Sequence, residues 1–512
     1  MSDKSDSVKA DFDIAVVGSG FAGSLIAMIA RRLGRSVVMI ERGQHPRFAI
    51  GESSTPLANL LLEELAERYD LPGVRPLCKW GAWQQSLSHI GCGLKRGFTF
   101  FRHEFGQPVS SEMLVAASPR DVIADTHWYR PDFDKHLVEE AQRLGVEYLD
   151  RTSLTSLTRR DKSFILKAQH GPEIRAGFLL DASGPRGFLH RKLNLAQSDF
   201  PDFPKTQALF AHFSGVEKWA ALHGSSDRAP YPPDHAAVHH IFDGGWIWVL
   251  RFNNGLTSAG AVMTDELAAE LRLHEGAPAW ARLLDRLPSV REQFVGAIPA
   301  TPFIHQPRVA FRSASAAGAR WAMLPSAAGV VDPLLSTGFP LTLLGIERLA
   351  RIIEDGFPPR ALAEYERQTF SELDATAALV AALYANMRDF ETFSALTLLY
   401  FAAASFSESA RRLHRPDLAR SFLLHDDPRF GPALQECCRA PSVARIREAI
   451  EPFDVAGLGR RERHPYYPAL AGDFMEAAHK LGASRAEATE ALARAGFSGI
   501  SDASDASDSP GR

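Results

Sequence analysis

Near the amino end, Gly18-Ser19-Gly20-Phe21-Ala22-Gly23 carries three glycines at the spacing of a phosphate-binding turn. The apolar run Ile14-Ala15-Val16-Val17 precedes it and a helix-like stretch, 24–33, follows. Glycine at those places permits the tight turn, close approach of backbone to a pyrophosphate, and helix-on-strand packing, while the helix N-terminus offers unpaired N–H groups to phosphate. A second apolar run, Val37-Val38-Met39-Ile40, ends at Glu41 beside Arg42. That carboxylate stands about twenty residues beyond the glycines, the spacing at which it accepts from a ribose hydroxyl. Strand, turn, helix, strand and acid together predict a dinucleotide site built on Gly18, Gly20, Phe21, Ala22, Gly23, Glu41 and Arg42.

Other residues carry chemistry only in combination. Ser336-Thr337-Gly338 stands before a helix predicted from residue 340, and the N–H groups of such a turn form an anion-binding concavity. The same donors would equally steady negative charge on a bound cofactor ring. Trp246 and Trp248 project to one face of a strand, either as the wall of a ligand cavity or as an aromatic pair in a sheet core. His239 and His240 are adjacent, so on a strand they face opposite ways and cannot chelate one metal; no metal site is read here. Lys95, taken as a residue type, reads as a solvated strand lysine.

The elements that position these residues fall in three separated stretches, near 11–70, 121–190 and 310–355. The first holds the glycine turn and, after a loop through Gly51-Glu52-Ser53, a helix over 56–69 opened by Pro56. The second predicts a helix over 136–144 stopped by Gly145, a strand over 146–149, and a strand over 178–180 that ends in Asp181-Ala182-Ser183-Gly184. The third predicts a strand over 322–324 and the helix 340–354. Between them, 75–120 and 195–305 are aromatic and alternating, as in a sheet, and from 361 onward the pattern is helical.

Composition narrows the class. The 512 residues are 45% hydrophobic and 23% charged, the values of a globular protein with a sizeable core. Lys plus Arg total 57 against 61 acids, for a net charge of -4, and no basic stripe points to nucleic acid. The four cysteines, Cys78, Cys92, Cys437 and Cys438, lack metal-site spacing and read as free thiols of a reducing compartment. Residues 1–10 are polar with no apolar run of a secretory signal, so a cytoplasmic location is expected. The apolar stretch 393–406 is shorter than the about twenty residues a bilayer demands, so it reads as a buried helix and not as an integral membrane segment. Residues 1–10 and the Ser-Asp-Ala tail, 501–512, are expected to be disordered.

Over 11–355 the markers, in this order, resemble the flavin-dependent halogenases and their monooxygenase relatives, which share the para-hydroxybenzoate hydroxylase type of FAD fold. They are the glycine turn with Glu41; Gly51-Glu52-Ser53; Arg130 with Phe133-Asp134; Asp181-Ala182-Ser183-Gly184; the Trp246, Trp248 pair; and Asp332-Pro333-Leu334-Leu335-Ser336-Thr337-Gly338. The resemblance implies an α/β fold: a Rossmann-like FAD-binding domain (11–74, 121–194 and 306–360) with an inserted, mostly antiparallel β-sheet substrate domain (75–120 and 195–305) and a helical C-terminal region (361–500). It adds Gly51, Glu52, Ser53, Arg130, Asp181, Ser183, Gly184, Ser326, Asp332 and Gly338 to the FAD-binding residues, gives Thr337 and Gly338 to halide, and puts Trp246, Trp248 and Leu335 around the substrate.

In such enzymes FADH2, supplied by a separate NAD(P)H flavin reductase, reacts with O2 to give a C4a-hydroperoxide that halide attacks.

 The hypohalous acid so formed is held or delivered by a lysine of the pattern Lys-x-Gly-x-x-Phe, matched here by Lys95-Arg96-Gly97-Phe98-Thr99-Phe100. Lys79 is a lower-ranked rival. The role asks for an amine on the rigid wall of a dry tunnel, where desolvation lowers its pKa. The implied reaction halogenates an electron-rich aromatic small molecule, free or bound to a carrier protein, in secondary metabolism.

Three departures shape that expectation. Tryptophan halogenases carry a glutamate where Leu335 stands, which points to the phenol or pyrrole type. The proline that follows the paired tryptophans in the family is replaced by Arg251. The acid that grips the ribityl chain is replaced by Ser326, a weaker partner, so FAD is expected to bind loosely. A hydroxylating FAD-dependent monooxygenase or dehydrogenase on the same scaffold, and a non-catalytic FAD-binding protein, are the alternatives the sequence leaves open.

Overall fold

The computed structural model describes residues 10–171 and 173–497. The disorder expected at 1–10 and 501–512 lies outside the described residues, apart from Ala10, which opens the first strand.

The run ending at Val17 forms the strand Ala10–Val17 in the middle of a mostly parallel sheet. Its neighbours are Glu173–Asp181 on one side and Val37–Ile40 on the other, both parallel, with Trp321–Met323 and Glu147–Leu149 beyond them. Ile14, Ala15 and Val16 are wholly buried, as a parallel strand covered on both faces requires. The register sets Val17 beside both Ile40 and Asp181, so the glycine turn, Glu41 and Asp181 emerge together at the carboxyl ends of the strands. In open α/β sheets that edge is where ligands bind.

The helix Phe21–Arg32 follows the turn, and Gly338–Glu354 packs beside it. The helix expected over 136–144 begins instead at Arg130 and runs Arg130–Arg143. Pro131 fits its first turn, where a missing N–H costs nothing, and the earlier start makes Arg130 and Asp134 neighbours one turn apart.

A second sheet runs in the order Ile298–Pro299, Thr206–Ser214, Leu256–Thr264, Gly245–Arg251, Ala237–Phe242, Gly97–Arg102, Ser111–Ala116 and Tyr466–Tyr467. Ala237–Phe242 lies parallel to Gly97–Arg102, and the C-terminal region supplies the edge strand Tyr466–Tyr467. The stretch read as sheet over 195–305 also contains the helices Asp265–Glu270, Ala277–Arg286 and Pro288–Gln293. Trp280, Leu283, Leu284 and Leu287 recur at helical spacing and are buried against the back of the sheet. A separate ladder pairs Cys92–Lys95 with Asp125–Trp128.

The C-terminal region is helical, led by Pro359–Ala385 and Phe390–Arg412. Phe393, Leu396, Leu399, Ala402 and Ala403 are fully buried, so the apolar stretch is the spine of a packed helix. No helix among the described residues is long and apolar enough to cross a membrane. All four cysteines are free.

Candidate functional site

At the glycine turn the backbone leaves no room for side chains. Gly18 has φ +101°, and a Cβ there would lie 2.6 Å from the Ala182 carbonyl oxygen; one at Gly23 would lie 2.0 Å from the Gly18 carbonyl oxygen. Glu41 is buried and ties the turn to its strand, accepting from Ser19 N at 3.2 Å, Ser19 Oγ at 3.0 Å, Gly43 N at 2.9 Å and Arg47 Nη2 at 3.2 Å. Burial works to raise its pKa, but these donors outweigh it and the carboxyl is held below its ordinary value. Arg42 is exposed and stands outside the cleft lining.

The turn opens on a cleft of about 800 Å³ between the two sheets, within the range of cofactor pockets. Gly20, Phe21, Ala22, Gly51, Glu52, Ser53, Arg130, Ser183, Gly184, Ser326, Asp332, Thr337 and Gly338 all line it. Sequence reasoning missed Arg47, Arg186 and Arg308, which line it too and give it the cationic character a pyrophosphate needs. A cradle that only glycine fits, a helix N-terminus beside it and these guanidiniums suit a dinucleotide such as FAD.

Several side chains serve the cleft indirectly. Arg130 makes a bidentate pair with Asp134, both bonds 2.8 Å, and donates Nη1 to the Gly51 carbonyl at 2.8 Å and to that of Ile50 at 3.1 Å. Asp181 does not line the cleft: it accepts from Ser183 N, Ser183 Oγ and Leu189 N, so it braces the loop that carries Ser183 and Gly184. Glu52 Oε1 meets His212 Nε2 at 2.6 Å, a buried pairing that no motif announced. Asp332 accepts from Leu334 N and from Tyr384, a residue of the C-terminal helix Pro359–Ala385. Its burial pushes the carboxyl up to about 7. Arg251 donates to Asp234 and to the carbonyls of Val216 and Glu217, bracing the strand end where the family's proline is absent.

Trp246 and Trp248 both line the cleft, ring centres 5.8 Å apart, and both are buried. Gly260 makes room for Trp248, since a Cβ there would lie 2.4 Å from the indole. His239 shares their side and His240 turns to the other face, toward His103. Among the described residues no group of three or more His, Cys, Asp or Glu is placed to hold a metal ion. Leu335 is a correction: it is wholly buried and lines neither this cleft nor the cavity described next. Leu335 and Ser336 have φ of +67° and +56°, a strained pair of left-handed residues, about 1–3 kcal/mol each, that turns Ser336-Thr337-Gly338 into the cleft.

Lys95 is not a solvated strand lysine. Its relative exposure is 0%, and Nζ donates to Ser53 Oγ at 2.8 Å and to the Ser54 carbonyl. It also lies 3.8 Å from the centre of the Phe98 ring. Ser53 lines the cleft, whereas Phe98 lines a second cavity of about 170 Å³ under the helix Phe390–Arg412, together with Tyr400, Phe401 and Asp125. Lys95 itself lines neither cavity; it is buried between Ser53, which lines the cleft, and Phe98, which lines the second cavity. Burial lowers its pKa to about 7, against the nearby charge of Asp125, its cross-strand partner. Asp125 is pushed up to about 7 by the same burial. Lys79, by contrast, is partly exposed and pairs with Glu63 at 3.3 Å.

The chain is similar to several known proteins. Residues 126–394 match the family model described as Tryptophan halogenase. The monodechloroaminopyrrolnitrin halogenase PrnC of Pseudomonas fluorescens is 28% identical over 401 residues, 76% of this chain and 70% of that protein. The tetracycline 7-halogenase of Kitasatospora aureofaciens is 26% identical over 413 residues, 77% of this chain and 73% of that protein. Among solved structures, halogenase PltM in complex with phloroglucinol and FAD superposes with a TM-score of 0.79 at 25% identity, covering 89% of this chain and 99% of that one. With more than half of its length matched by the family model, the chain belongs to the tryptophan halogenase family.

Proposed function

We propose that this chain is an FAD-dependent halogenase that uses FADH2, O2 and halide to halogenate a single-ring, electron-rich aromatic compound. The observation that carries the reading is the position of Lys95, fully buried between a dinucleotide-sized cleft and a small aromatic-walled cavity. Reduced FAD held in the cleft would supply the two electrons that bring O2 to the peroxide level, at which it can take two more from halide to give an electrophilic halogen. Gly18, Gly20 and Gly23 let the backbone approach its pyrophosphate, Arg47, Arg186 and Arg308 offset its charge, and Ser326 and Asp332 face it along the cleft. Thr337 and Gly338, at the start of Gly338–Glu354, offer N–H groups to the halide.

Trp246 and Trp248 wall the cleft and exclude water there. Lys95 then donates a hydrogen bond to hypohalous acid or carries its halogen, and burial, which lowers its pKa, favours the neutral amine that the second role needs. An apolar cavity of roughly 150 Å³ holds benzene, so the second cavity, about 170 Å³, fits one aromatic ring. FADH2 arrives from a separate NAD(P)H flavin reductase, in keeping with the neutral Ser326 in the cleft, and the free thiols accord with a cytoplasmic setting.

The test mixes the anaerobically reduced, FAD-loaded chain with oxygenated buffer, with and without bromide, in the presence of phloroglucinol. Faster return of oxidised flavin with bromide, and a brominated product by mass spectrometry, are expected. A hydroxylated product indifferent to bromide would replace this reading with a monooxygenase; no reaction with oxygen would leave a flavin-binding protein.

A further inference from the structure

We propose that Asp125 is the base that removes the hydroxyl proton of a phenolic substrate in the second cavity, so that the ring is attacked as its phenolate. This rests on the halogenase reading above. Asp125 is 5% exposed and lines the cavity. One carboxylate oxygen accepts from Asn59 Nδ2 at 2.9 Å, while Oδ2 is buried without a hydrogen-bond partner. A carboxylate oxygen in that state costs free energy unless something supplies a donor, and a phenolic hydroxyl entering among Phe98, Tyr400 and Phe401 is a donor of the right kind.

The surroundings favour proton acceptance over a fixed ion pair. Lys95 stands opposite Asp125 in the ladder, but its Nζ donates to Ser53 Oγ and the Ser54 carbonyl and forms no ion pair with Asp125. From the helix Phe390–Arg412, Glu408 and Arg412 face the same cavity and pair with each other, Arg412 Nε donating to Glu408 Oε1 at 2.8 Å. Asn59 comes from the helix Pro56–Arg68. Burial holds the carboxyl well above its ordinary range, which brings it closer to the acidity of a phenol.

The step balances. Asp125 Oδ2 takes the hydroxyl proton, and the O–H electron pair passes into the ring. A ring carbon ortho or para to that oxygen then bonds the halogen of hypohalous acid, whose oxygen leaves as hydroxide. Hydroxide takes the hydrogen from the substituted carbon to give water, and Asp125 returns its proton to the product oxygen.

The test compares wild type with Asp125→Asn in the full chain supplied with FAD, a flavin reductase, NADH, O2 and bromide. On phloroglucinol, kcat is expected to fall at least about 100-fold. On 2,6-difluorophenol, whose hydroxyl is far more acidic, the loss should stay below about 10-fold, while FAD affinity and bromide-stimulated flavin oxidation are unchanged. An equal loss on both phenols, or a parallel loss of FAD binding, overturns the proposal and leaves Asp125 a structural residue. A wild-type chain that halogenates neither phenol overturns the halogenase reading itself. Should the variant not fold, 4-nitrophenol bound to wild type at about pH 7 decides: a larger phenolate band than in free solution is expected, and an unchanged spectrum rejects Asp125 as the acceptor.

Discussion

Lys95 Nζ stands 2.8 Å from Ser53 Oγ and 3.8 Å from the centre of the Phe98 ring, so one amine bridges a residue that lines the cofactor-sized cleft and a residue that lines the small cavity. Neither residue is remarkable alone: Lys95 belongs to the strand Cys92–Lys95, and Ser53 to the loop that follows Gly51. Their contact lets one amine be fixed at the border of two compartments, away from water that would quench an electrophilic halogen.

Lys95→Met keeps the length of the side chain and removes the amine. Halogenated product is expected to fall at least about 100-fold, with FAD affinity within about 2-fold of wild type, because none of the bonds of Lys95 reaches the glycine turn. Product yield by mass spectrometry beside flavin fluorescence titration checks both halves. Halogenation retained in this variant would remove Lys95 from the reaction.

Gly23→Ala tests the cradle. Its Cβ would lie 2.0 Å from the Gly18 carbonyl oxygen and 3.1 Å from Ala182 Cβ, so the turn must shift. FAD affinity is expected to weaken at least about 10-fold, or about 1.4 kcal/mol, with the helical circular-dichroism signal unchanged. Unaltered affinity would show that the turn does not hold the cofactor.

How much of this was legible follows from where each signal resides. The α/β class was, because Ile14 to Val17, the glycines and Glu41 write a local pattern whose geometry needs no distant partner. The start of Arg130–Arg143 was not: the predicted helix began at residue 136, whereas Pro131 is a first-turn residue of a helix that opens six residues earlier. The residue type alone hid the depth of Lys95, because a lysine ordinarily stays in water; only the family resemblance asked for a dry amine, and the contacts that bury it, Ser53, Ser54 and Phe98, come from separate segments. Asp125 carries no motif; cross-strand pairing with Lys95 gives it meaning. Tyr466–Tyr467 is likewise too short to read as a strand until Ser111–Ala116 is beside it.

Asp332 predicts a pH dependence of stability. Burial raises its carboxyl from 3.8 to about 7, with the Leu334 N–H and Tyr384 countering only in part. The folded chain therefore holds a proton that the unfolded chain has released between those values. Its stabilising contribution is complete below 3.8 and is lost as pH rises through about 7. Asp332→Asn does not titrate, so its advantage over wild type should grow across that window and level off above it, by roughly 4 kcal/mol at ~1.4 kcal/mol per pH unit. Urea unfolding of the FAD-free chain at several pH values measures this. A difference independent of pH would show that the carboxyl ionises as in solvent.

Arg130 ties stability to the cleft in a way two readouts can separate. The pair with Asp134 is almost entirely buried, with side-chain exposures of 7% and 0%. Removing the guanidinium alone strands a buried carboxylate, a loss of about 3–5 kcal/mol, so Arg130→Met should lower the urea midpoint sharply. Arg130→Met with Asp134→Leu removes both charges and should recover most of that loss. Recovery should not extend to FAD. Arg130 Nη1 also holds the carbonyls of Ile50 and Gly51, which line the cleft, and neither variant restores that grip. FAD affinity is therefore expected to stay reduced in the double variant after its stability returns. If affinity returned with stability, Arg130 would matter to the cofactor only through folding, and the loop it clasps would have to be positioned by other contacts.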